Sequence, residues 1–414
     1  MNVAGTQVRP ARPVVRFSLV RAAAACGALL LSSLLVAALL GEFIVRVAAP
    51  QQLIVARPEV YRPDADLGWR HRENVKTLMN TGGGAVHFRT DSNGYRIPWN
   101  DGPHVGPGQE LRILALGDSF LEAIAVEAES TIPSLLEERL AVSLNRPVAV
   151  DNAGVAGWDP NQYRIEARRA LERTRYDLGL VFLYVGNDIV RTAVDAYPPP
   201  QTVRAHRFRW PGSWAWREWV KSVFSPINGR LETRSHLFLF LKGRLEVPLA
   251  RLGLTTNYFP EVFRLDERTS EGWDTTTAIC QSIQGEFSAH GAPVIFTLLP
   301  TPYQVDREVF DTYVRSFRIR LESVDLEQPN KELAKRFRGA SLTLLDPLEE
   351  LRQRSKQGAR LYGTVDRHLN ANGHQAVTAI VLPAVEAVLG RLDPGRGGSA
   401  LMDSPIAAAR SAGH

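Results

Sequence analysis

The chain has 414 residues, of which 44% are hydrophobic and 22% charged, and its net charge is +5. This is the balance of a chain most of which folds, and its basic residues are scattered arginines rather than the clustered stripe of a nucleic-acid-binding face. The two cysteines, Cys26 and Cys280, supply neither a disulfide framework nor a zinc-ligand spacing.

Ala22 to Leu40 carries no charge. At 1.5 Å per residue this run reaches roughly 28 Å, close to the ~30 Å hydrocarbon thickness of a bilayer. Arg9, Arg12, Arg16 and Arg21 precede it without an acidic residue. The positive-inside rule therefore assigns 1–21 to the cytoplasm, 22–45 to a transmembrane anchor, and the rest of the chain to the extracytoplasmic side. A cleaved signal peptide is the competing reading. Its apolar region is usually shorter, whereas Glu42-Phe-Ile-Val-Arg46 continues the helical pattern here, which favours an uncleaved anchor.

Residues 46–105 are rich in Pro, Gly and Asn and predict a stalk followed by a β-rich lead-in. Turns are marked by Thr81-Gly82-Gly83-Gly84 and by Asp91-Ser-Asn-Gly94-Tyr95-Arg96. The triple glycine follows no apolar strand and precedes no Lys-Ser/Thr, so it predicts a flexible loop rather than a phosphate cradle.

From Leu111 the pattern alternates strand and helix. Short apolar runs at Leu111–Leu116, Val148–Asp151, Leu178–Val185, Val294–Leu299 and Leu342–Leu345 predict parallel strands covered on both faces. Asp159-Pro160 predicts a helix start, with Tyr163, Ala167, Ala170 and Leu171 on its apolar face. A last helix is predicted from about Gly373 to Leu389, with Ala376, Ile380 and Val381 packed inward. The fold class is α/β, a three-layer α/β/α sandwich around a mainly parallel, five-stranded, doubly wound sheet spanning 106–390.

An insertion at about 193–272 opens with Tyr197-Pro-Pro-Pro200 and contains Trp210, Trp214, Trp216 and Trp219. The spacing from Trp216 to Phe224 predicts an amphipathic helix that packs on the domain; the alternative is a lid or membrane-surface element. Residues 391–414 lack periodicity and predict a disordered tail.

Ligands of such a sheet bind beyond the carboxyl ends of its strands. Ser119 follows the first strand in Gly117-Asp118-Ser119, and Asp366-Arg-His368 lies in a turn-rich segment near the end of the chain. A hydroxyl, a base and an orienting carboxylate are the parts of a serine nucleophile. The first-turn amide of Ser119 lacks an intrahelical partner and is available to an oxyanion. Asn152-Ala-Gly154-Val-Ala-Gly157 after the second strand and Asn187 after the third could complete that hole. Asp118 and Asp188 read as capping and loop-bonding carboxylates, His374 as packing the start of the final helix, and Arg367 as solvated.

With these segments in this order, the chain resembles the SGNH hydrolases, or GDSL esterases and lipases, over roughly residues 86–390. The resemblance implies Ser119 as nucleophile, His368 as base and Asp366 as its acid. It likewise implies the Ser119 and Gly157 backbone N–H groups and the Asn187 side chain as oxyanion donors, with no metal or other cofactor. Phe88-Arg-Thr-Asp-Ser-Asn-Gly94-Tyr-Arg96 is similar to a segment ahead of the serine block in membrane-anchored members. Val185 stands where the family often has Gly, with Gly186 next to it, and Phe120-Leu121-Glu122 replaces the more common residues after the serine. Asp366 lies two residues before His368 rather than three, which resembles alginate-type O-acetyltransferases.

The implied function is hydrolysis of an acyl ester, on an acylated glycan or lipid, by an enzyme tethered to a bacterial inner membrane with its catalytic domain on the periplasmic side. An O-acyltransferase modifying a cell-surface polysaccharide and a non-catalytic glycan-binding protein on the same fold are the alternatives.

Overall fold

The computed structural model describes residues 14–55, 57–100, 110–191, 227–252, 261–263, 267–317, 319 and 321–392. The chain divides into two compact units, Met1–Leu53 with Trp214–Leu245, and Ile54–Ser213 with Glu246–His414.

In the first unit, helix α1 (Val14–Ala48) is built from leucine and alanine, both strong helix formers. Its leucines from Leu29 to Leu40 face outward, as at Leu31, 69% exposed. From Arg21 to Ala48 it is long and apolar enough to cross a membrane. Near its end the Glu42 carboxylate accepts from the Ser235 hydroxyl at 2.7 Å and from the backbone N–H groups of His236 and Leu237 at 3.0 and 2.9 Å. It thereby caps the positive end of the helix at His236–Arg251.

The second unit opens with a hairpin of β1 (Tyr61–Asp64) and β2 (Gly68–His71). Three antiparallel strands follow, β3 (Lys76–Asn80), β4 (Ala85–Thr90) and β5 (Arg96–Ile97). The expected parallel strands are β6 (Leu111–Leu116), β7 (Val148–Asn152), β8 (Leu178–Tyr184), β9 (Val294–Leu299) and β10 (Leu344–Leu345). The sheet order is β10-β9-β8-β6-β7-β5-β4-β3. Five parallel strands form the predicted doubly wound core, and the antiparallel strands extend it through the pairing of Arg96 with Asn152. β10 is shorter than its apolar run because Ser341 is left-handed, with φ 56°, and the Leu342 N–H turns back to the Phe337 carbonyl.

The helices around this sheet include α2 (Ser119–Glu122), α3 (Ile132–Ser143), α4 (Pro160–Arg173), α5 (Glu267–Ala289), α6 (Gln328–Gly339), α7 (Leu348–Lys356) and α8 (Ala371–Leu392). Asp159 and Gln162 form a capping box at the start of α4, with Pro160 in its first turn, as the sequence predicts. Strand periodicity sends alternate side chains to opposite faces. Leu114, Leu116, Val181 and Phe296 meet Tyr163, Ala167, Phe287 and Phe337 on one face. Ile113, Ala115, Leu180 and Ile295 meet Ile132, Leu136, Leu351 and Val381 on the other. Each such side chain contributes about 1.5–3 kcal/mol by leaving water. α8 is also long and apolar enough to cross a membrane, but Val377, Val381 and Val385 are fully buried in the second of these cores. The tryptophan-rich helix expected at Trp216–Phe224 and the tail beyond Leu392 lie outside the described residues.

Candidate active site

β6 ends at Leu116 and the chain turns sharply through Gly117, where a Cβ would stand 2.7 Å from that of Leu121. Asp118 then caps α2, its Oδ1 accepting from the Phe120 N–H at 2.9 Å, and Ser119 becomes the first helical residue. The helix stops after one turn because Ala123 is left-handed, with φ 59°. Its last carbonyls are met by Arg96, which is 3% exposed and donates to the Glu122, Ala123 and Val126 oxygens. Burial holds the guanidinium down to about 10, while the Glu122 carboxylate opposes that shift. Glu122 is itself fully buried and accepts from the Tyr61 hydroxyl at 2.6 Å and His71 Nε2 at 2.9 Å.

Asp366 and His368 sit in the irregular loop that the sequence requires for them. Tyr362 pairs with Leu369, the Gly363 N–H donates to the His368 carbonyl at 2.8 Å, and Arg367 is left-handed, with φ 62°. His368 Nε2 lies 2.9 Å from Ser119 Oγ. Its ring leans on Phe120, centroids 4.7 Å apart, and Phe120 stacks on Tyr184 at 3.7 Å. Asp366 comes close to the His368 ring without a hydrogen bond to it. Its Oδ2 is 4.0 Å from His368 Nδ1, which has no hydrogen-bond partner. Asp366 Oδ1 instead accepts the His368 backbone N–H at 3.2 Å and Oδ2 the Thr81 hydroxyl at 2.6 Å. Gly363 is needed here, since a Cβ would stand 2.5 Å from Asp366 Oδ1.

The segment after β7 is laid against α2. A Cβ on Gly154 would meet the Glu122 backbone nitrogen at 2.5 Å, and the Val155 N–H donates to the Gly117 carbonyl at 3.1 Å. Gly157 has φ +79°, a conformation that glycine adopts freely. Its neighbours are fastened to the hairpin: Trp69 Nε1 donates to the Ala156 carbonyl at 2.9 Å, and Trp158 Nε1 to the Trp69 carbonyl at 2.8 Å. After β8, Asn187 Nδ2 donates to Asp118 Oδ2 at 3.3 Å, while Asn187 Oδ1 is buried without a partner. Gly186 is required because a Cβ would stand 2.6 Å from the Tyr184 ring.

The remaining polar residues fall where expected. Asp118 caps a helix, and buried Asp188 accepts from the Tyr163 hydroxyl and the Tyr184 N–H at 2.9 and 3.0 Å. Burial, and then the nearby Asp118, push the Asp188 carboxyl well above the usual range. His374 is fully buried in the first turn of α8, its pKa lowered to about 3 by burial and then by Arg96 and His368. Arg367 is exposed, its guanidinium over the Tyr303 and Tyr313 rings. Sequence reasoning missed Thr81, Glu122, Arg96 and Trp69.

No known family profile matches this sequence, and neither does any curated protein. Solved structures similar to it include TesA, at 11% identity and TM-score 0.34, covering 67% of this chain and 99% of TesA. Another is a variant of an acetyl xylan esterase from Geobacillus stearothermophilus, at 12% identity and TM-score 0.36, covering 68% of this chain and 96% of that one. A member of the lipolytic protein G-D-S-L family from Veillonella parvula matches at 11% identity and TM-score 0.34, covering 66% and 97%.

Proposed function

We propose that this protein is a serine ester hydrolase of the SGNH type, tethered to the membrane by α1 and acting outside the cytoplasm. The observation that carries the catalytic reading is the 2.9 Å contact between Ser119 Oγ and His368 Nε2. That is the distance at which a base takes a hydroxyl proton. Ser119 Oγ attacks the acyl carbon, His368 accepts the proton, and the alcohol leaves with that proton as the acyl-Ser119 forms. Water then attacks the acyl carbon with His368 again as base; the bond to Ser119 Oγ breaks, the proton returns from His368 to that oxygen, and the carboxylic acid leaves. Asp366 stabilises the imidazolium after a movement of about 1 Å that brings it within hydrogen-bonding range. The Ser119 and Gly157 N–H groups and Asn187 Nδ2 are the proposed oxyanion donors.

Acyl transfer is the second reading. A cavity of about 430 Å³ lies beside the catalytic loop, lined by Tyr313, Phe317, Arg360, Tyr362 and Arg367 among others. Its size suits a sugar-sized acceptor, whose hydroxyl would attack the same acyl-enzyme. On this reading the acceptor is a cell-surface polysaccharide, whose hydroxyl leaves carrying the acyl group.

The test is turnover of an activated acetyl ester by the full-length protein with Ser119→Ala as control. Loss of turnover in the variant is expected, and equal turnover would dismiss the catalytic reading. Acylated product on an added glycan selects transfer, and its absence selects hydrolysis. A reporter fused after His414 should be active only outside the cytoplasm; activity inside would overturn the proposed orientation.

A further inference from the structure

The Thr81 hydroxyl donates to Asp366 Oδ2 at 2.6 Å, joining positions 285 residues apart. Thr81 begins the Thr-Gly-Gly-Gly segment that composition marks as a flexible loop, yet the segment is braced. Asn80 is 7% exposed and its Oδ1 accepts the N–H groups of Gly82 and Gly84 at 2.8 and 3.3 Å. Its backbone is fixed by exchange with Val55. Gly82 has φ +107°, and a Cβ there would stand 2.6 Å from Val365 Cγ1, so the segment lies directly on the catalytic loop.

Asp366 is therefore held at both oxygens. Oδ1 is fixed by the His368 N–H and Oδ2 by Thr81, and Oδ2 is the oxygen 4.0 Å from the unpartnered His368 Nδ1. A carboxylate oxygen has two lone pairs, so Oδ2 can keep the Thr81 bond while accepting Nδ1–H. We propose that Thr81 is a positioning residue: its hydroxyl keeps Asp366 Oδ2 turned toward His368, so that a small approach completes the triad. This rests on the serine-ester reading above.

The test is the rate at which a fluorophosphonate labels the full-length protein. Ser119 Oγ bonds to phosphorus, the P–F bond breaks, fluoride leaves, and the proton passes to His368 Nε2. No natural substrate is needed. Labelling that persists in Ser119→Ala would refute the serine-ester reading itself, and the proposal with it. Given Ser119-dependent labelling, Thr81→Val should slow it about tenfold, the scale of one hydrogen bond to a charged group. Thr81→Ser should restore the rate, and Thr81→Val should have no further effect once Asp366 is alanine. A wild-type rate in Thr81→Val overturns the assignment. So does an equal slowing in the Asp366→Ala background, or failure of Thr81→Ser to rescue while its thermal midpoint matches wild type.

Discussion

The two ring nitrogens of His368 have unequal company: Nε2 is 2.9 Å from Ser119 Oγ, while Nδ1 stands 4.0 Å from Asp366 Oδ2 and has no hydrogen-bond partner. The imidazole is already engaged with the hydroxyl, and the carboxylate waits. Ser119→Ala or His368→Ala should each lower kcat by on the order of 10⁴–10⁶, and the double variant should be little worse than either, because the two groups act as one unit. Asp366→Ala should cost less than either. Steady-state kinetics on an activated ester decide this, and additive losses would separate the two residues.

Removing the buried guanidinium that closes α2 should be strongly destabilising. Arg96→Met leaves the Glu122, Ala123 and Val126 carbonyls without their donor and removes the buried guanidinium that interacts with the Glu122 carboxylate. A loss of about 3–5 kcal/mol is expected from denaturant unfolding. Arg96→Lys should recover little, since one ammonium cannot reproduce the guanidinium fork.

A pair of glycines gives opposite signs. In Gly154→Ala the new methyl would lie 2.5 Å from the Glu122 nitrogen and 2.8 Å from the Leu121 carbonyl carbon, backbone that cannot swing away. It should lose about 1–3 kcal/mol and much of its activity as α2 shifts. Gly285→Ala, exposed toward the C-terminal end of α5 with nothing within 4 Å of the added carbon, should gain about 0.5–1 kcal/mol. Thermal unfolding of the two variants should move in opposite directions.

Acid sensitivity should trace in part to His374. Its folded pKa is about 3 against an ordinary 6.5, because burial and then Arg96 and His368 disfavour the charged ring. Between those values the unfolded chain binds a proton that the folded one refuses. The stability present above pH 6.5 is therefore lost as the pH falls toward 3, at up to about 1.4 kcal/mol per pH unit. His374→Leu should flatten the dependence, measured as denaturation midpoints across that range. An unchanged slope would remove His374 from the account.

The parallel core was legible because fully buried strands are nearly continuous apolar runs, and Leu111–Leu116 and Val294–Leu299 begin and end where the sequence places them. Asp159-Pro160 was legible as a capped helix start. Ser119 and His368 were legible as partners because strand ends and a turn-rich late loop are where such sheets gather chemistry. The bracing of the site was not. Thr81 meets Asp366, Trp69 meets Ala156 and Arg96 meets Glu122 through contacts distant in sequence, and no local pattern distinguishes such residues from others in turns and short strands. The shortness of β10 was hidden for a related reason, since a left-handed serine leaves no trace in apolar periodicity.

The contact between the hydroxyl of Ser119 and the ring of His368 spans 249 residues. A nascent chain thus holds these groups on separate lengths of polypeptide until nearly all of the second unit has been made. Loop closure over such a span is slow, and topologies of this kind fold late. The pairing of hydroxyl and imidazole therefore cannot form before the chain has passed residue 368, and a product truncated ahead of it would carry the serine without its proposed base.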